Sequence, residues 1–164
     1  MAEIGLEGAE VLAVGAGEAG GGPGSEAGGT PGRMCQVVLV AVTMDLPDQN
    51  PVVVLREIDP PRREVSIPVG LAEGVAIAYG HRAVATPRPL THEMLTVVLE
   101  RFGVRLEAVR ITSRVGRVYL AEMVMTSPSS GPQTIDCRPS DAIALAVRQE
   151  LPVPLVVDEA LFDD

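Results

Sequence analysis

Three short apolar runs, each rich in Val and Leu or Ile, open the part of the sequence that can fold. They are Cys35–Thr43, Val52–Glu57 and Glu64–Val69. β-Branched residues at this density favour extended strands. The clusters Asp45–Pro51 and Asp59–Pro61 between the runs are rich in Asp and Pro, which are typical of turns. Three strands joined by such short links predict an antiparallel meander.

Two stretches with helical spacing follow the meander. The first runs from Gly70 to about Tyr79, and its apolar stripe consists of Leu71, Val75 and Ala78. In the second, Thr91 is the predicted N-cap and Gly103 the predicted end. The predicted core stripe of this second helix consists of Met94, Leu95, Val98, Leu99 and Phe102. The sequence therefore predicts that the second helix packs these residues into the core.

The second half of the chain returns to strand patterns. Val104–Ser113 and Arg117–Met125 alternate well enough to form a hairpin that turns about Val115-Gly116. Gln133–Cys137 and Leu151–Val157 complete the predicted strands. Because the last strand must return to the sheet after a helix, the sheet is predicted to be mixed, although largely antiparallel. The predicted fold class is α+β, with about three helices in the order β-β-β-α-α-β-β-β-α-β.

The most specific stretch of the sequence, residues 136–146, joins an apolar strand to an apolar helix. The helix is apolar on every face over residues 142–147, which indicates that it is buried. Ser140 or the residue before Pro139 is predicted to cap this helix, and Pro139 suits its first turn. The charged residues at the junction are Asp136, Arg138 and Asp141. Charge is costly at such a place unless it is paired or used.

Composition divides the chain into a folded domain and two tails. Residues 1–33 are dense in Gly and poor in large apolar residues, which predicts a disordered Gly-rich N-terminal extension. Residues 34–162 form the predicted folded domain, and residues 163–164 are an acidic C-terminal end. Aromatic residues make up only 2% of the chain, so Val, Leu, Ile and Ala are expected to fill the core.

The charge and the cysteine content exclude several classes of protein. A net charge of -9 argues against loose binding of nucleic acid over the whole surface. All basic residues are arginine; a GC-rich coding bias explains this simply, although a local guanidinium patch would suit phosphate. Cys35 and Cys137 are too few for a disulfide framework and show no zinc spacing, which favours a reducing cytoplasm. No apolar run is long enough for a bilayer, and no secretory start is present, so no membrane partner is expected.

Three motifs, taken in order, resemble one known family. They are the strand Val52–Glu57 with its Arg56-Glu57 end, the linker Arg88-Pro89-Leu90-Thr91-His92, and the block Arg138-Pro139-Ser140-Asp141-Ala142-Ile143-Ala144-Leu145-Ala146. Together they resemble the bifunctional nuclease domain, which is also known as an uncharacterised bacterial family, and the likeness covers residues 34–162. The resemblance implies a nuclease that acts on DNA and RNA, with α+β subunits that associate as homodimers. The sequence departs from the family pattern at Ser66–Val69, where an aromatic is usual, and at Gly74, where Ala is usual.

Phosphodiester cleavage by such a domain needs neutralised phosphoryl oxygens and an activated water. Divalent ions held by carboxylates supply both. The candidate metal ligands, which are also candidate catalytic residues, are Asp136, Asp141 and Glu73, with Mg²⁺ or Mn²⁺ as the expected ion. The candidate substrate-binding residues are Arg138, Arg88 and Ser140, because a guanidinium makes forked contacts with phosphate. His92 is the candidate catalytic base.

Simpler structural roles stay open for the same residues. Asp141 suits the positive end of a helix, and Arg138 suits pairing with a neighbouring carboxylate. Glu73 and His92 are both common kinds of solvated residue near a helix start. These roles leave three hypotheses: a metal-assisted nuclease with weak, salt-sensitive binding of nucleic acid, a non-catalytic homodimeric binding or regulatory domain, and a module that binds a small anion. The nuclease hypothesis predicts that its three candidate carboxylates converge in one cleft.

Overall fold

The computed structural model describes residues 32–44 and 50–162 of the chain. The predicted disordered extension at residues 1–33 therefore lies outside the described residues except for its last two, and the acidic end at 163–164 lies wholly outside them. The strands are β1 (Met34–Thr43), β2 (Val52–Glu57), β3 (Glu64–Pro68), β4 (Arg105–Val115), β5 (Val118–Thr126), β6 (Gln133–Cys137) and β7 (Leu155–Asp158). The helices are α1 (Leu71–His81), α2 (Thr91–Arg101) and α3 (Pro139–Ala146), followed at the end by a short 3₁₀ helix, Glu159–Leu161. The predicted α+β fold and element order are confirmed.

The last strand, β7, joins the two halves of the sheet. The sheet order is β3-β2-β1-β7-β4-β5-β6, so β7 lies between the first strand of each half. It pairs antiparallel with β1 and parallel with β4, while the other neighbours are antiparallel. The sheet is therefore mixed, as predicted. β7 begins only at Leu155, later than predicted, because Pro152 and Pro154 lack the N–H group that a ladder requires.

The helix α3 forms the centre of the helical layer. It packs on β4 and β5, and both α1 and α2 pack against it. Ala142, Ile143 and Ala144 have no exposed surface at all, which confirms the prediction of a buried helix. The N-cap is Arg138 and Pro139 is the first helical residue, whereas neither Arg138 nor Ser140 supplies a side-chain cap. The first turn of α3 thus remains open to other partners.

The predicted core stripe of α2 is wrong for four of its five residues; Leu99 is partly buried and packs against the core. Met94 is 55% exposed and Phe102 is 78% exposed, and the buried residue of this helix is Thr96, at 6%. The reason is that α2 packs on the small, alanine-rich α3 rather than on the sheet. Periodicity identifies the apolar side of a helix but does not show whether a neighbour covers that side. The apolar side of α2 faces outwards in the single subunit.

The helix α1 lies unusually close to the start of β2. A Cβ atom at Gly74 would lie 2.6 Å from Cγ of Pro51, so a larger residue at this position would force its surroundings to shift. Gly74, Ala76 and Ile77 form the buried side of α1. As a result, the neighbouring residue Glu73 is directed towards the beginning of α3.

Candidate functional site

Arg138 connects two carboxylates at the start of α3. Its Nε and Nη2 atoms donate to Oδ2 and Oδ1 of Asp141 at 2.7 and 2.9 Å. Nη2 also donates to Oε1 of Glu73 at 3.0 Å. The Arg138 side chain is 66% exposed, compared with 30% for Asp141 and 19% for Glu73. A forked, charge-assisted contact of this kind fixes the plane of the guanidinium while leaving it open to solvent.

His92 contacts the same aspartate from the first turn of α2. Its Nε2 atom lies 3.2 Å from Oδ1 of Asp141. Burial opposes ionisation of Asp141, but the hydrogen bonds from Arg138 and His92 outweigh it, so the pKa of Asp141 is lowered. An ionised carboxylate only accepts hydrogen bonds, so Nε2 of His92 carries a proton and Nδ1 holds the lone pair when the ring is neutral. An aspartate that orients a histidine in this way prepares the ring to act as a base.

The position of His92 depends on a network around its neighbour, Glu93. Oε2 of Glu93 accepts from the backbone N–H of Leu90 and from Oγ1 of Thr86, each at 2.7 Å. Arg148 donates to Oε1 of Glu93 and, at 2.9 Å, to the carbonyl oxygen of Ala76 in α1. The hydrogen bonds from Thr86 and then from Leu90, with Arg148 adding its charge, lower the pKa of Glu93. The Glu93 carboxylate therefore stabilises the start of α2 through its hydrogen bonds with Thr86, Leu90 and Arg148.

The prediction that Thr91 caps α2 is wrong. The N-cap residue is Leu90, and Thr91 is the first helical residue. A leucine side chain cannot accept a hydrogen bond, so one half of a capping box is present: the Glu93 carboxylate, at the third helical position, accepts from the backbone N–H of Leu90.

The four side chains of this cluster border one cleft between the starts of α1 and α2. The cleft has a volume of about 690 Å³ and is also lined by apolar residues, including Leu71, Val75 and Leu90. We call Glu73, His92, Arg138 and Asp141 the Arg138 cluster. Two carboxylates and one guanidinium give it a net charge of -1 when His92 is neutral. The cluster thus combines a cation, a histidine and an apolar wall in a single depression.

Asp136 is not part of the cluster, which corrects the predicted convergence of three carboxylates. It is exposed on β6, where its backbone partner is Glu122 of β5. Side chains alternate between the two faces of a strand, and the neighbouring pair Cys137 and Ala121 faces the helical layer. Asp136 therefore projects from the opposite face of the sheet.

Two candidate substrate-binding residues also lie apart from the cleft. Arg88 is exposed in the linker before α2, and among the described residues no ion pair or hydrogen bond joins it to the cluster. Ser140 is only 8% exposed in the first turn of α3. It lines a separate groove, described below, together with Arg138. Of the predicted site residues, the structure brings together Glu73, His92, Arg138 and Asp141.

The arrangement does not fit the predicted metal centre of three carboxylates. Within residues 32–44 and 50–162, no three His, Cys, Asp or Glu side chains are grouped closely enough to hold a metal ion. Glu73 and Asp141 both direct oxygen atoms at Arg138, which takes the position that a shared cation would need. The carboxylates of the cluster are thus bridged by a guanidinium.

Comparison with known proteins assigns the fold and its motifs to a family. The sequence model of the bifunctional nuclease domain matches residues 53–164, most of the chain. The chain belongs to the bifunctional nuclease domain family. The resemblance carried by the three motifs is therefore confirmed. None of the helices in the described part of the chain is both long enough and apolar enough to cross a bilayer.

Individual relatives of this nuclease-domain chain differ in how much of their length it covers. It is 32% identical over 128 residues to an uncharacterized protein of Mycobacterium tuberculosis, covering 78% of this chain and 74% of that protein. It is 32% identical over 108 residues to Bifunctional nuclease 2 of Oryza sativa subsp. japonica, covering 63% and 33%. It is 29% identical over 112 residues to Bifunctional nuclease 1 of Arabidopsis thaliana, covering 66% and 34%. The chain spans about a third of these plant proteins.

A second cluster of charged residues, centred on Arg63, is not indicated by the sequence motifs. Nη2 of Arg63 donates to Oε1 of Glu57 at 2.8 Å and to Oε1 of Glu159 at 3.1 Å, and its guanidinium lies over the ring of Phe162. The hydrogen bond from the Arg63 side chain lowers the pKa of Glu57 to about 2. A signal was present in the sequence: Glu57 follows Val53 and Leu55 at a spacing of two, so it falls on the buried side of β2.

Proposed function

We propose that this domain hydrolyses phosphodiester bonds of DNA, RNA or both, and that the Arg138 cluster is its active site. The observation that carries the proposal is the contact of one aspartate, Asp141, with both a histidine and an exposed arginine. Nucleolytic cleavage needs a group that accepts a proton from the attacking water and a group that stabilises charge on the phosphoryl oxygens. His92 and Arg138 are chemically suited to these two roles, and they border the same cleft.

In the proposed reaction, Arg138 binds the phosphate and His92 activates the water. Arg138 uses Nε and Nη2 for its carboxylate partners, and among the described residues Nη1 makes no hydrogen bond, so this edge is available to a phosphoryl oxygen. Nδ1 of His92 accepts a proton as the water oxygen attacks phosphorus and the bond to the leaving oxygen breaks; the departing alkoxide takes a proton from solvent, and His92 later returns its proton to solvent. The ionised Asp141 stabilises the positive charge that develops on the ring. Glu73 helps to hold Arg138 in place.

The cluster is also expected to bind substrate weakly. Its own net charge of -1, within a chain of net charge -9, repels a polyanion. The contacts that remain are made by arginine to phosphate, so affinity for nucleic acid should fall further as the salt concentration rises, with a slope set by these few contacts. Dependence on Mg²⁺ or Mn²⁺ stays a prediction from the family resemblance, and the assay below tests it directly.

We further propose that the domain acts as a homodimer and that the outward side of α2 is its interface. Met94, Leu95, Val98 and Phe102 give that side four exposed large apolar residues at helical spacing. Contiguous exposed apolar surface of this kind marks an interaction site. A second copy of this chain is the proposed partner, because it is present in every solution of the protein. Phe102→Glu should give a monomer in sedimentation velocity, whereas Val115→Glu, which changes an exposed hairpin residue, should leave a dimer; a monomeric wild type would contradict the interface.

A reducing compartment such as the cytoplasm is the proposed location. Cys35 and Cys137 are both free thiols and both half-buried. Burial, followed by the neighbouring charges of Asp136 and Asp141, raises the pKa of Cys137 to about 11, so this thiol stays protonated and unreactive near neutral pH.

A non-catalytic role of the same domain is the alternative, and one observation favours it. Both carboxylates of the cluster are already engaged with Arg138, as in a brace between α1 and α3. In that case the cluster would stabilise the fold, and the domain would act through its apolar surface as a homodimeric binding or regulatory unit.

Cleavage of end-labelled RNA, single-stranded DNA and duplex DNA separates the two proposals. Each substrate is incubated with wild type, Arg138→Ala or Asp141→Asn in the presence of Mg²⁺, Mn²⁺ or a chelator, and the melting temperature (Tm) of each protein is measured. Loss of cutting in both variants with little change in Tm supports the active site. A wild type that never cuts, together with a large fall in Tm in both variants, supports the brace. Cutting that persists in the chelator contradicts the predicted metal dependence.

A further inference from the structure

A second groove borders Arg138, separate from the cleft that contains His92. It has a volume of about 350 Å³, within the range of sites that hold small ligands. Three parts of the fold form it: the end of β3 with the start of α1, the tip of the β4–β5 hairpin, and the first turn of α3. Its lining includes Asn50, Gly70, Arg117, Tyr119, Arg138 and Ser140. We call this the Arg117 groove.

The charge of the Arg117 groove is opposite to that of the neighbouring cleft. Among the described residues, two arginines, Arg117 and Arg138, and no carboxylate line the groove. The cleft, by contrast, is lined by Glu73 and Asp141 with Arg138 as its one arginine. Arg117 is exposed beside the hairpin turn, and no ion pair engages it in the part of the chain that the structure describes. Because Arg138 is already paired with Asp141 and Glu73, the positive charge that the groove offers to a polyanion comes from Arg117.

Two further features of the groove suit an unpaired nucleotide. The ring of Tyr119 forms part of the wall; its hydroxyl donates to the carbonyl oxygen of Ser66 at 3.4 Å, and the guanidinium of Arg114 lies 5.6 Å from the ring centroid. Aromatic rings in nucleic-acid sites stack on bases that are not paired. The first turn of α3 lacks a side-chain cap, and its residues Pro139 and Ser140 line the groove. The positive end of the helix dipole therefore adds to the attraction for a phosphate.

We propose that the Arg117 groove binds the backbone of a single-stranded nucleic acid, next to the phosphate held by Arg138. Arg138 borders both depressions, so a strand in the groove leads directly into the cleft of His92. Arg117 contacts the adjacent phosphate, and Tyr119 contacts its base. The identity of the cleft as the place of cleavage rests on the function proposed above, whereas binding in the groove does not.

Binding is measured by fluorescence anisotropy with a short labelled oligodeoxynucleotide whose linkages are phosphorothioates, so that cleavage does not interfere. The variants are Arg117→Gln, the charge-preserving Arg117→Lys, and the control Arg101→Gln, which removes an exposed arginine at the end of α2. Arg117→Gln should raise Kd by about tenfold and reduce the slope of log Kd against log salt by about 0.7, the value for one contact to a single strand. Arg117→Lys should restore most of the affinity. Arg101→Gln should bind like wild type.

The outcomes separate the groove from the catalytic proposal. A wild type that binds with the expected Arg117 dependence but never cuts supports the groove and contradicts the nuclease. A wild type that cuts, while Arg117→Gln and Arg101→Gln bind alike, supports the nuclease and overturns the groove. Tighter binding of a blunt duplex of the same sequence overturns the assignment to single strands. Since Arg117 is exposed at a turn, an unchanged Tm of Arg117→Gln shows that the fold is intact.

Discussion

Two arginines of this domain each lie between two carboxylates, yet their surroundings differ. Arg63 joins Glu57 and Glu159, while Arg138 joins Asp141 and Glu73. The Arg63 side chain is 27% exposed and is covered by Phe162, and its partner Glu57 is only 6% exposed. The Arg138 side chain is 66% exposed and opens onto a cleft and a groove. Arg63 and its partners border a smaller depression of about 210 Å³, so the same pairing is largely covered in one place and exposed in the other.

Exposure separates structural ion pairs from pairs that can bind a ligand. A guanidinium that uses its donors within the fold and is covered by an aromatic ring mainly fixes the ends of strands, here β2 and the chain after β7. A guanidinium that keeps a free edge beside a histidine can exchange partners with a ligand. Pairing alone does not distinguish these roles, but exposure and the neighbouring titratable groups do. Arg63, Glu57 and Glu159, which we call the Arg63 cluster, therefore serve as an internal control for the Arg138 cluster.

The two arginines should differ most in what their loss affects: loss of Arg138 should lower activity, and loss of Arg63 should lower stability. Arg138→Gln should lower cleavage by about 100-fold or more, because it removes the charge that stabilises the phosphoryl oxygens, with a small change in Tm. Arg63→Gln should lower Tm several times more than Arg138→Gln does, because it leaves the buried carboxylate of Glu57 without its partner. Rates and thermal melts of both variants check the pair. Similar losses of Tm in both would remove the distinction between the clusters.

A second test concerns His92, the histidine of the Arg138 cluster. His92→Ala should lower the cleavage rate by about 100-fold through loss of the proton acceptor. His81→Ala, which changes an exposed histidine at the end of α1, is the matched control and should cut at the wild-type rate. Initial rates at saturating substrate are compared. Equal rates for both variants would exclude His92 as the base.

A third test measures how the stability contributed by Glu57, the partner of Arg63, depends on pH. The pKa of Glu57 is lowered from its usual 4.5 to about 2, so this carboxylate stabilises the fold fully above about pH 4.5 and loses that effect as the pH falls towards 2. Wild type should therefore lose stability in this window, and Glu57→Gln should lose much less over the same range. Urea midpoints at several pH values measure the difference. Glu64→Gln, which breaks the exposed pair with Arg56, should follow the wild-type curve.

The smallest expected effect lies beside the open cluster, at Gly74. Overpacking against Pro51 costs about 1–3 kcal/mol, more than the roughly 1 kcal/mol that Ala gains over Gly in a helix. Gly74→Ala should therefore lower the free energy of unfolding by about 1 kcal/mol, and it should shift Glu73 relative to Arg138. Denaturant unfolding checks the value. Gly131→Ala has open space around its new methyl group and should be neutral; a stabilised Gly74→Ala would contradict the close contact.

Much of the fold was predictable because it depends on local patterns. The strand and helix order, the mixed sheet and the burial of α3 all follow from periodicity and from the turn residues. The outward orientation of the apolar side of α2 was not predictable. An apolar stripe has the same sequence pattern whether it packs against its own chain or against another. The late start of β7 shows the limit at element ends, where two prolines removed the donors that pairing needs.

The candidate site was predictable in part. Glu73, His92, Arg138 and Asp141 come together as the motifs indicated, although three separate elements supply them. The prediction that Asp136 joins the site was wrong because adjacent residues of a strand point to opposite faces of the sheet. The closeness of Asp136 to Arg138 in the sequence concealed this difference. Glu57 was overlooked because it was considered only as part of a motif, although its spacing from Leu55 placed it on the buried side of β2.

The most direct test of the central claim is a crystal structure of the protein with a non-hydrolysable phosphorothioate oligonucleotide. We expect a phosphate bound to the exposed edge of Arg138, within reach of His92, with the neighbouring nucleotide in the Arg117 groove. Occupancy elsewhere on the surface, with the contacts of Arg138 to Glu73 and Asp141 unchanged and no phosphate beside them, would contradict it and leave Arg138 as a second structural brace.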